Sequence, residues 1–585
     1  CIISKIIAYE LLLRPNSFHN TNQISVRYYT KMKKTVTTLI AMMMMVSAFA
    51  QTEHAFSISK NMDIFNSIYR QLDLFYVDSL DADKLFKVGI DAMLAELDPY
   101  TAYYPEENMK DLKMMTTGKY GGIGSVIRQR RDSAGVMIYE PYPDMPAAEA
   151  GLMVGDIMLK IDDKDLKGMG TSEVSDLLRG EPGTTFLLKV QRPGEKKTRE
   201  FKVTRRNIKR GAVPFYGIVK GVGYINLSEF TEECAKDVRK AFISLKEKGA
   251  QSIVLDLRNN HGGLLAEAVD IVNLFVPKDI KIVETKGKIA AASSMYVTHN
   301  EPLDIDMPLA VLVNSETASA AEIVSGALQD LDRAVIIGCN TFGKGLVQSP
   351  RELPYNGSLK LTTAKYYIPS GRCIQAVDYK KKRQAAELYR ETGKTVSTKD
   401  SLKHKIFHTT GGREVTEGSG IKPDITLEHD TISNIVYYLS DADVLVDWGT
   451  TYCQQHPNIP AVSDFTISDE EYEAFKKMVK ESNFKYDKIS GKRLEELKKA
   501  AKFEGYYDDA KDIFDSLEKK LEHNVDKDMD YKKNDIKKLL AMEIIRRVYY
   551  QAGTIEESLK DYVDFEGAVK VLNNAEAYAK ALGKK

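Results

Sequence analysis

Leu309-Ala310-Val311-Leu312-Val313-Asn314-Ser315-Glu316-Thr317-Ala318-Ser319-Ala320-Ala321-Glu322 is the stretch on which the fold turns. Five apolar residues with no polar alternation read as a strand buried on both faces. The small residues after them read as a sharp turn into a helix over 320–330, and a second apolar run follows at 334–338. Upstream the same order recurs: strand 223–227, helix 232–248, strand 252–257, helix 264–275. Such alternation predicts an α/β core with a largely buried sheet over residues 207–430.

Working outward, 113–206 has a different texture: β-rich runs at 124–128, 135–140, 157–161, 185–192 and 197–205, with short helices at 147–150 and 171–178. Residues 51–112 read as helical, Phe56, Ile58, Met62, Phe65, Ile68, Leu72 and Phe75 recurring at three- to four-residue spacing, with a second helix over 83–96 stopped by Asp98-Pro99. Residues 431–585 read as a charged helical extension. Met32-Lys33-Lys34, an apolar run over 35–46 and Ser47-Ala48-Phe49-Ala50 have the cationic, apolar and small-x-small order of a secretory signal peptide, expected to be cut before Gln51. Residues 1–31 then form an upstream extension, and the mature chain is expected outside the cytosol, in a periplasm.

Composition narrows the function. A chain of 585 residues predicts several domains, and 43% hydrophobic with 28% charged residues predicts folded ones. Lys+Arg equals Asp+Glu at 83 each; without the first fifty residues 77 oppose 82, a mildly acidic balance that removes the electrostatic case for nucleic acid. Five scattered Cys with no Cys/His cluster predict neither a disulfide scaffold nor a metal site. No apolar run after position 50 is long enough to span a bilayer.

Two constellations carry chemistry. Tyr120-Gly121-Gly122-Ile123-Gly124 places Gly-rich backbone before a strand, where N–H groups of Gly121, Gly122, Ile123 and Gly124 can cradle a carboxylate. Ser319 stands at the strand-to-helix turn, and the N–H of Ala320 at the helix start can hold an oxyanion. Ser319-Ala320-Ala321-Glu322 also fits a capping box, in which the hydroxyl merely caps the helix. Thr341-Phe342-Gly343-Lys344-Gly345 supplies a lysine between glycines after a buried strand; a desolvated, neutral Lys344 can serve as the base that Ser319 needs. Two rivals use neighbouring residues. Gly338 to Lys344 nearly spells a phosphate loop, lacking the hydroxyl at Gly345. His261, beside Gly262-Gly263, is the alternative base.

These strings resemble the carboxyl-terminal processing, or tail-specific, serine peptidases, which carry an embedded PDZ domain. The resemblance rests on Leu97-Asp98-Pro99-Tyr100-Thr101; Pro146-Ala147-Ala148-Glu149-Ala150-Gly151-Leu152 with Gly155-Asp156-Ile157; Leu178 to Thr184; Leu255 to Gly263; residues 315–330; Phe342 to Gly345; and Leu361 to Arg372. It implies a crotonase-like α/β core joined to a PDZ domain. It also implies a Ser319 nucleophile, a Lys344 base, Gln348 as third member, and oxyanion donors at Ala320 and either Gly262 or Gly263. Gln348 lies four residues past Lys344, the same side of a regular strand. Expected partners are proteins with apolar C-termini; no cofactor or metal is implied. The terminal helices are suited to homodimerisation or docking an adaptor protein. His261 and Glu316-Thr317 depart from the family pattern. The alternative from another class is an inactive PDZ adaptor on a peptidase scaffold.

Overall fold

A computed structural model describes residues 53–584 apart from 110–113, 115–116, 133, 210, 393–404, 429–431 and 522–523. The expected signal segment and the extension before it lie outside the described residues. The chain divides into two compact units, residues 1–93 and 94–585.

In the first unit a helix spans 53–75 and the next helix, Ala82–Ala95, begins. The rings of Phe65, Tyr69 and Phe86 pack together, while Phe56, Ile58, Met62, Ile68 and Phe75 are exposed. The helical reading of 51–112 fails at its end. Asp98 ties the backbone N–H groups of Tyr100 and Thr101 at 2.8 Å each, a turn that stops helix growth. Ala102–Tyr104 then pairs as a strand with 358–360.

The second unit is built on a six-stranded sheet whose spatial order follows the chain: β1 (Phe215–Val219), β2 (Val222–Asn226), β3 (Ile253–Asp256), β4 (Leu309–Val313), β5 (Val335–Gly338) and β6 (Ile425–Thr426). β1 and β2 are antiparallel; every later pairing is parallel. Helices α1 (Cys234–Glu247), α2 (Leu265–Asn273) and α3 (Ala320–Asp330) make the crossovers. Alternate strand residues explain the unbroken apolar runs. Ile225, Ile253, Leu255, Val311, Val313 and Ile336 share one core with α1–α3. Val254, Ala310, Leu312, Val335 and Ile337 face Leu559, Phe565, Ala568 and Leu572 from the C-terminal extension. The α/β expectation therefore holds, and the extension covers the second face of the sheet.

A five-stranded sheet beside it contains Ala102–Tyr104, Lys281–Gly287, Ser294–Val297, Leu346–Glu352 and Ser358–Tyr367. The region around 119–209 folds as a separate sheet with its own core, including Ile138, Ala147, Val174 and Leu188. Its strand Ser125–Gln129 lies at the sheet edge, paired on one side only, with Val136–Pro141. In the C-terminal extension, Asp443–Gln455 and α4 (Lys533–Ser558) pack in a third core around Trp448, Phe475 and Ile544. After α4 comes α5 (Val563–Leu572), the helix that lies against β4 and β5. α4 is broken at Tyr550, whose φ of 55° and ψ of −157° are not helical. Ion pairs dock the 119–209 region onto the extension: Arg130 is bidentate to Asp447 at 2.8 and 3.0 Å, and Arg128 reaches Asp443 at 3.4 Å. Arg547 donates to Val154 O at 3.1 Å.

Candidate active site

At the end of β4 the chain turns into α3 within six residues, 314–319. Thr317 locks the turn: its N–H donates to Asn314 O at 2.9 Å and its hydroxyl to Leu257 O at 2.8 Å. Ser319 follows with φ 58° and ψ −117°, a region non-glycine residues avoid; the surrounding bonds hold it there. The capping box is only half formed. The Glu322 carboxylate accepts from Ser319 N at 2.9 Å, but the Ser319 side chain caps nothing. Its hydroxyl lies instead against the phenol of the fully buried Tyr366.

The turn after β3 is laced to this one. Asn259 N donates to Asn314 Oδ1 at 3.0 Å, Asn314 Nδ2 donates to Asn259 Oδ1 at 2.8 Å, and Ala318 N donates to Asn260 O at 2.9 Å. Gly262 must be glycine: a Cβ there would lie 2.7 Å from the Ser319 Cβ, at a φ of +92°. Its N–H is engaged by Asn260 Oδ1 at 2.8 Å. Among the described residues, the N–H groups of Gly263 and Ala320 have no such acceptor. His261 sits at the rim, its side chain 74% exposed and 3.9 Å from Glu316 Oε2. The two departures from the family pattern thus face each other, and His261 makes no hydrogen bond to Ser319.

Lys344 lies in the loop leaving β5. One buried carboxylate joins that loop to the Ser319 turn: Glu322 Oε1 accepts from Thr341 Oγ1 at 2.6 Å and Gly343 N at 2.7 Å, and Oε2 from Lys344 N at 2.8 Å besides Ser319 N. Burial pushes the Glu322 carboxyl up, and these donors pull the other way. Sequence reasoning had Glu322 only as a capping partner; its other donors are some twenty residues on, with no local signature.

The Lys344 side chain is half-buried. Burial lowers its pKa first and the Lys360 charge lowers it further. Among the described residues its ammonium has no ion-pair partner; Nζ stands 4.5 Å from the centre of the Tyr100 ring. No hydrogen bond joins it to Ser319 Oγ or to Gln348. Gln348 Nε2 instead donates to Leu346 O at 3.2 Å and Thr362 Oγ1 at 3.3 Å. Two facts undo the strand-face argument for it: Lys344 precedes the strand Leu346–Glu352, and a bulge lies between Val347 and Gln348. The phosphate-loop rival fails because a strand, not a helix, follows Gly345.

In the 119–209 region, Gly121 and Gly122 belong to a strand paired with Arg206–Lys209, so they are not open loop. A Cβ on Gly121 would lie 2.1 Å from Gly180 O. Ile123 and Gly124 form the turn: their carbonyls accept from Ala147 N and Tyr142 N at 2.9 Å each, while among the described residues their N–H groups have no acceptor.

Comparison with known proteins decides the family. The model of peptidase family S41 matches residues 221–381, a PDZ domain model matches 137–192, and the model of a probable PDZ-protease C-terminal helical domain matches 435–572. A carboxy-terminal-processing protease of Bartonella bacilliformis (strain ATCC 35685 / KC583 / Herrer 020/F12,63) is 38% identical over 322 residues, 54% of this chain and 73% of that one. The chain is an S41 serine peptidase. A probable CtpA-like serine protease of Staphylococcus aureus (strain MSSA476) is 35% identical over 344 residues, 58% of this peptidase and 67% of the relative. A solved photosystem II D1 C-terminal processing protease is 26% identical, covering 62% of this peptidase and 92% of that chain, with a TM-score of 0.33. The C-terminal extension matches the helical-domain model, and the peptidase carries a PDZ domain. Among the described residues no helix is long and apolar enough to cross a membrane.

Proposed function

We propose that this peptidase is a secreted endoprotease directed by substrate C-termini, with Ser319 as nucleophile and neutral Lys344 as general base. One observation carries it: among the described residues, an uncapped serine at a strained turn, beside two N–H groups with no acceptor, is tied through Glu322 to a half-buried lysine without an ion-pair partner.

A protein with an apolar C-terminus places its carboxylate at the Ile123 and Gly124 N–H groups and adds a strand along the free edge of Ser125–Gln129. Gly121 supports this turn by packing, and Gly122 closes the preceding strand. The Lys344 amine leaves the Tyr100 face and takes the proton from Ser319 Oγ. Oγ bonds to the scissile carbonyl carbon, and the oxyanion is held by the Ala320 and Gly263 N–H groups, Gly262 being committed to Asn260. The Lys344 ammonium returns the proton to the leaving amine as the C–N bond breaks. Water, deprotonated by Lys344, then bonds to the acyl carbon, and the Lys344 ammonium returns that proton to Ser319 Oγ as the Oγ–C bond breaks and the acid departs. Gln348 supports the base loop through Thr362 rather than the amine itself. The signal segment 32–50 sends the enzyme to the periplasm.

The test is cleavage of an unfolded protein with an apolar tail by the chain from residue 51 onward. Ser319→Ala and Lys344→Ala are expected to be inactive while still binding the tail peptide. Cleavage surviving Ser319→Ala refutes the nucleophile, and cleavage surviving Lys344→Ala refutes the base.

A further inference from the structure

Arg258 is the residue before the oxyanion turn, and its side chain runs away from that turn into the protein. Its Nε and Nη2 are bound to Asp256 at 2.5–3.0 Å, and the Tyr224 hydroxyl donates to the same carboxylate at 2.5 Å. The other face of the guanidinium is covered by the C-terminal extension: its carbon stands 3.8 Å from the centre of the Tyr562 ring, and Nη1 is 3.9 Å from Asp564 Oδ2. Among the described residues Nη1 has no hydrogen-bond partner. A buried guanidinium held by one carboxylate, one ring and one through-space charge has a position that depends on all three.

The backbone of Arg258 continues at once into Asn259, in the left-handed region at φ 58°, and Asn260, which is fully buried. Asn260 orients Gly262, and Asn259 is bonded both ways to Asn314 of the Ser319 turn. A shift of Arg258 would therefore be passed to the peptide that carries the Gly263 N–H. Tyr562 and Asp564 lie at the start of α5, the helix that covers the second face of the catalytic sheet.

We propose that Tyr562 and Asp564, outside the peptidase core, are positioning residues for the oxyanion turn and act on it through Arg258. This rests on the reading of Ser319 as nucleophile with Gly263 and Ala320 as oxyanion donors. The C-terminal extension is thereby part of the catalytic apparatus, beyond its service as a cover for apolar surface.

The experiment uses the full chain from residue 51, with a chromogenic peptide substrate and a peptide aldehyde whose bound oxygen needs the same donors. Tyr562→Leu removes the ring. Its kcat is expected to fall by roughly ten- to a hundredfold, the scale of a misplaced or missing oxyanion donor, with KM and tail-peptide affinity within about twofold. Aldehyde affinity falls in step with kcat. Tyr562→Phe keeps the ring and restores both. Asp564→Asn lowers kcat by about threefold, and carries the test alone should Tyr562→Leu lose its cooperative melt. Arg258→Lys lowers kcat as Tyr562→Leu does, and the double variant is no worse than either single one. Unchanged kcat in a folded Tyr562→Leu or Asp564→Asn protein, or additive losses with Arg258→Lys, overturns the inference. Ser319→Ala in the same assay separates the two levels: retained cleavage there removes the underlying reading, whereas loss there with inert Tyr562 variants removes this inference alone.

Discussion

The two halves of the proposed active site are built differently. On the acyl side, backbone supplies the groups that matter. The turns at 258–263 and 314–319 are stitched by reciprocal asparagine bonds, a buried threonine and glycines that nothing larger could replace. On the base side, Lys344 is fixed only at its backbone, by Glu322 and by the Tyr366 hydroxyl on its carbonyl, while its amine rests on the Tyr100 ring without a hydrogen bond. In the proposed mechanism the oxyanion half is set before substrate arrives, and the base half has a side chain to move. Donors aimed at developing charge act best when they need no reorganisation. A base must be desolvated yet free to travel between nucleophile and leaving group.

The largest expected effect falls on the base. Lys344→Met keeps the length and removes the amine, and is expected to lower kcat by on the order of 10³-fold; single-turnover kinetics measure it. In the proposed mechanism the neutral amine is the active form. Burial lowers its pKa, so activity rises with pH through that lowered value and is lost on the acid side. Tyr100→Leu admits water to the amine, so the acid limb of kcat/KM is expected to move to higher pH. An unmoved limb would show that the ring plays no part in desolvation.

Next comes the element shared by both halves. Glu322→Gln presents an NH₂ to N–H donors that had an oxygen, leaving at least one buried donor unpaired at about 1–3 kcal/mol. A fall in melting temperature and a loss of activity of about 10²-fold are expected together. Loss of activity with an unchanged melt would place Glu322 in the chemistry rather than in the frame.

A smaller effect tests the oxyanion half. Gly262→Ala forces a methyl against Ser319, at a backbone angle that disfavours it; about 1–3 kcal/mol of strain is expected, read by denaturant melting with a fall in acylation rate. The smallest effect is expected at Gln348. Its bonds to Leu346 and Thr362 are ordinary ones, so Gln348→Ala should cost no more than about fivefold, the worth of one such bond at ~1 kcal/mol. A loss as deep as that of Lys344→Met would mean that the glutamine reaches the amine during turnover.

How legible the site was depended on distance along the chain. Ser319 and the glycines of the 258–263 turn stand in local strings whose strand, turn and helix signals agree, so residue type and position could be read together. Glu322 looked like a helix cap because its first partner is three residues away, and the remaining ones are brought to it only by folding. The case for Gln348 assumes a regular strand, and a bulge is a property of two strands pairing, invisible in one of them. Ala102–Tyr104 was read as helix for the same reason: its strand identity comes from its partner at 358–360.

By itself the sequence determined which segments must be buried strands and where the Ser319 hydroxyl meets a helix start, because apolar runs and small-residue turns constrain the chain locally. Only the tertiary structure decided that Gly262 N–H is already engaged while, among the described residues, Gly263 N–H has no acceptor, that one carboxylate braces both the Ser319 and Lys344 loops, and that the C-terminal extension closes the second face of the sheet and touches Arg258. Those outcomes depend on hydrogen-bond partners and packing surfaces tens to hundreds of residues apart, and no local pattern encodes which of the competing partners wins.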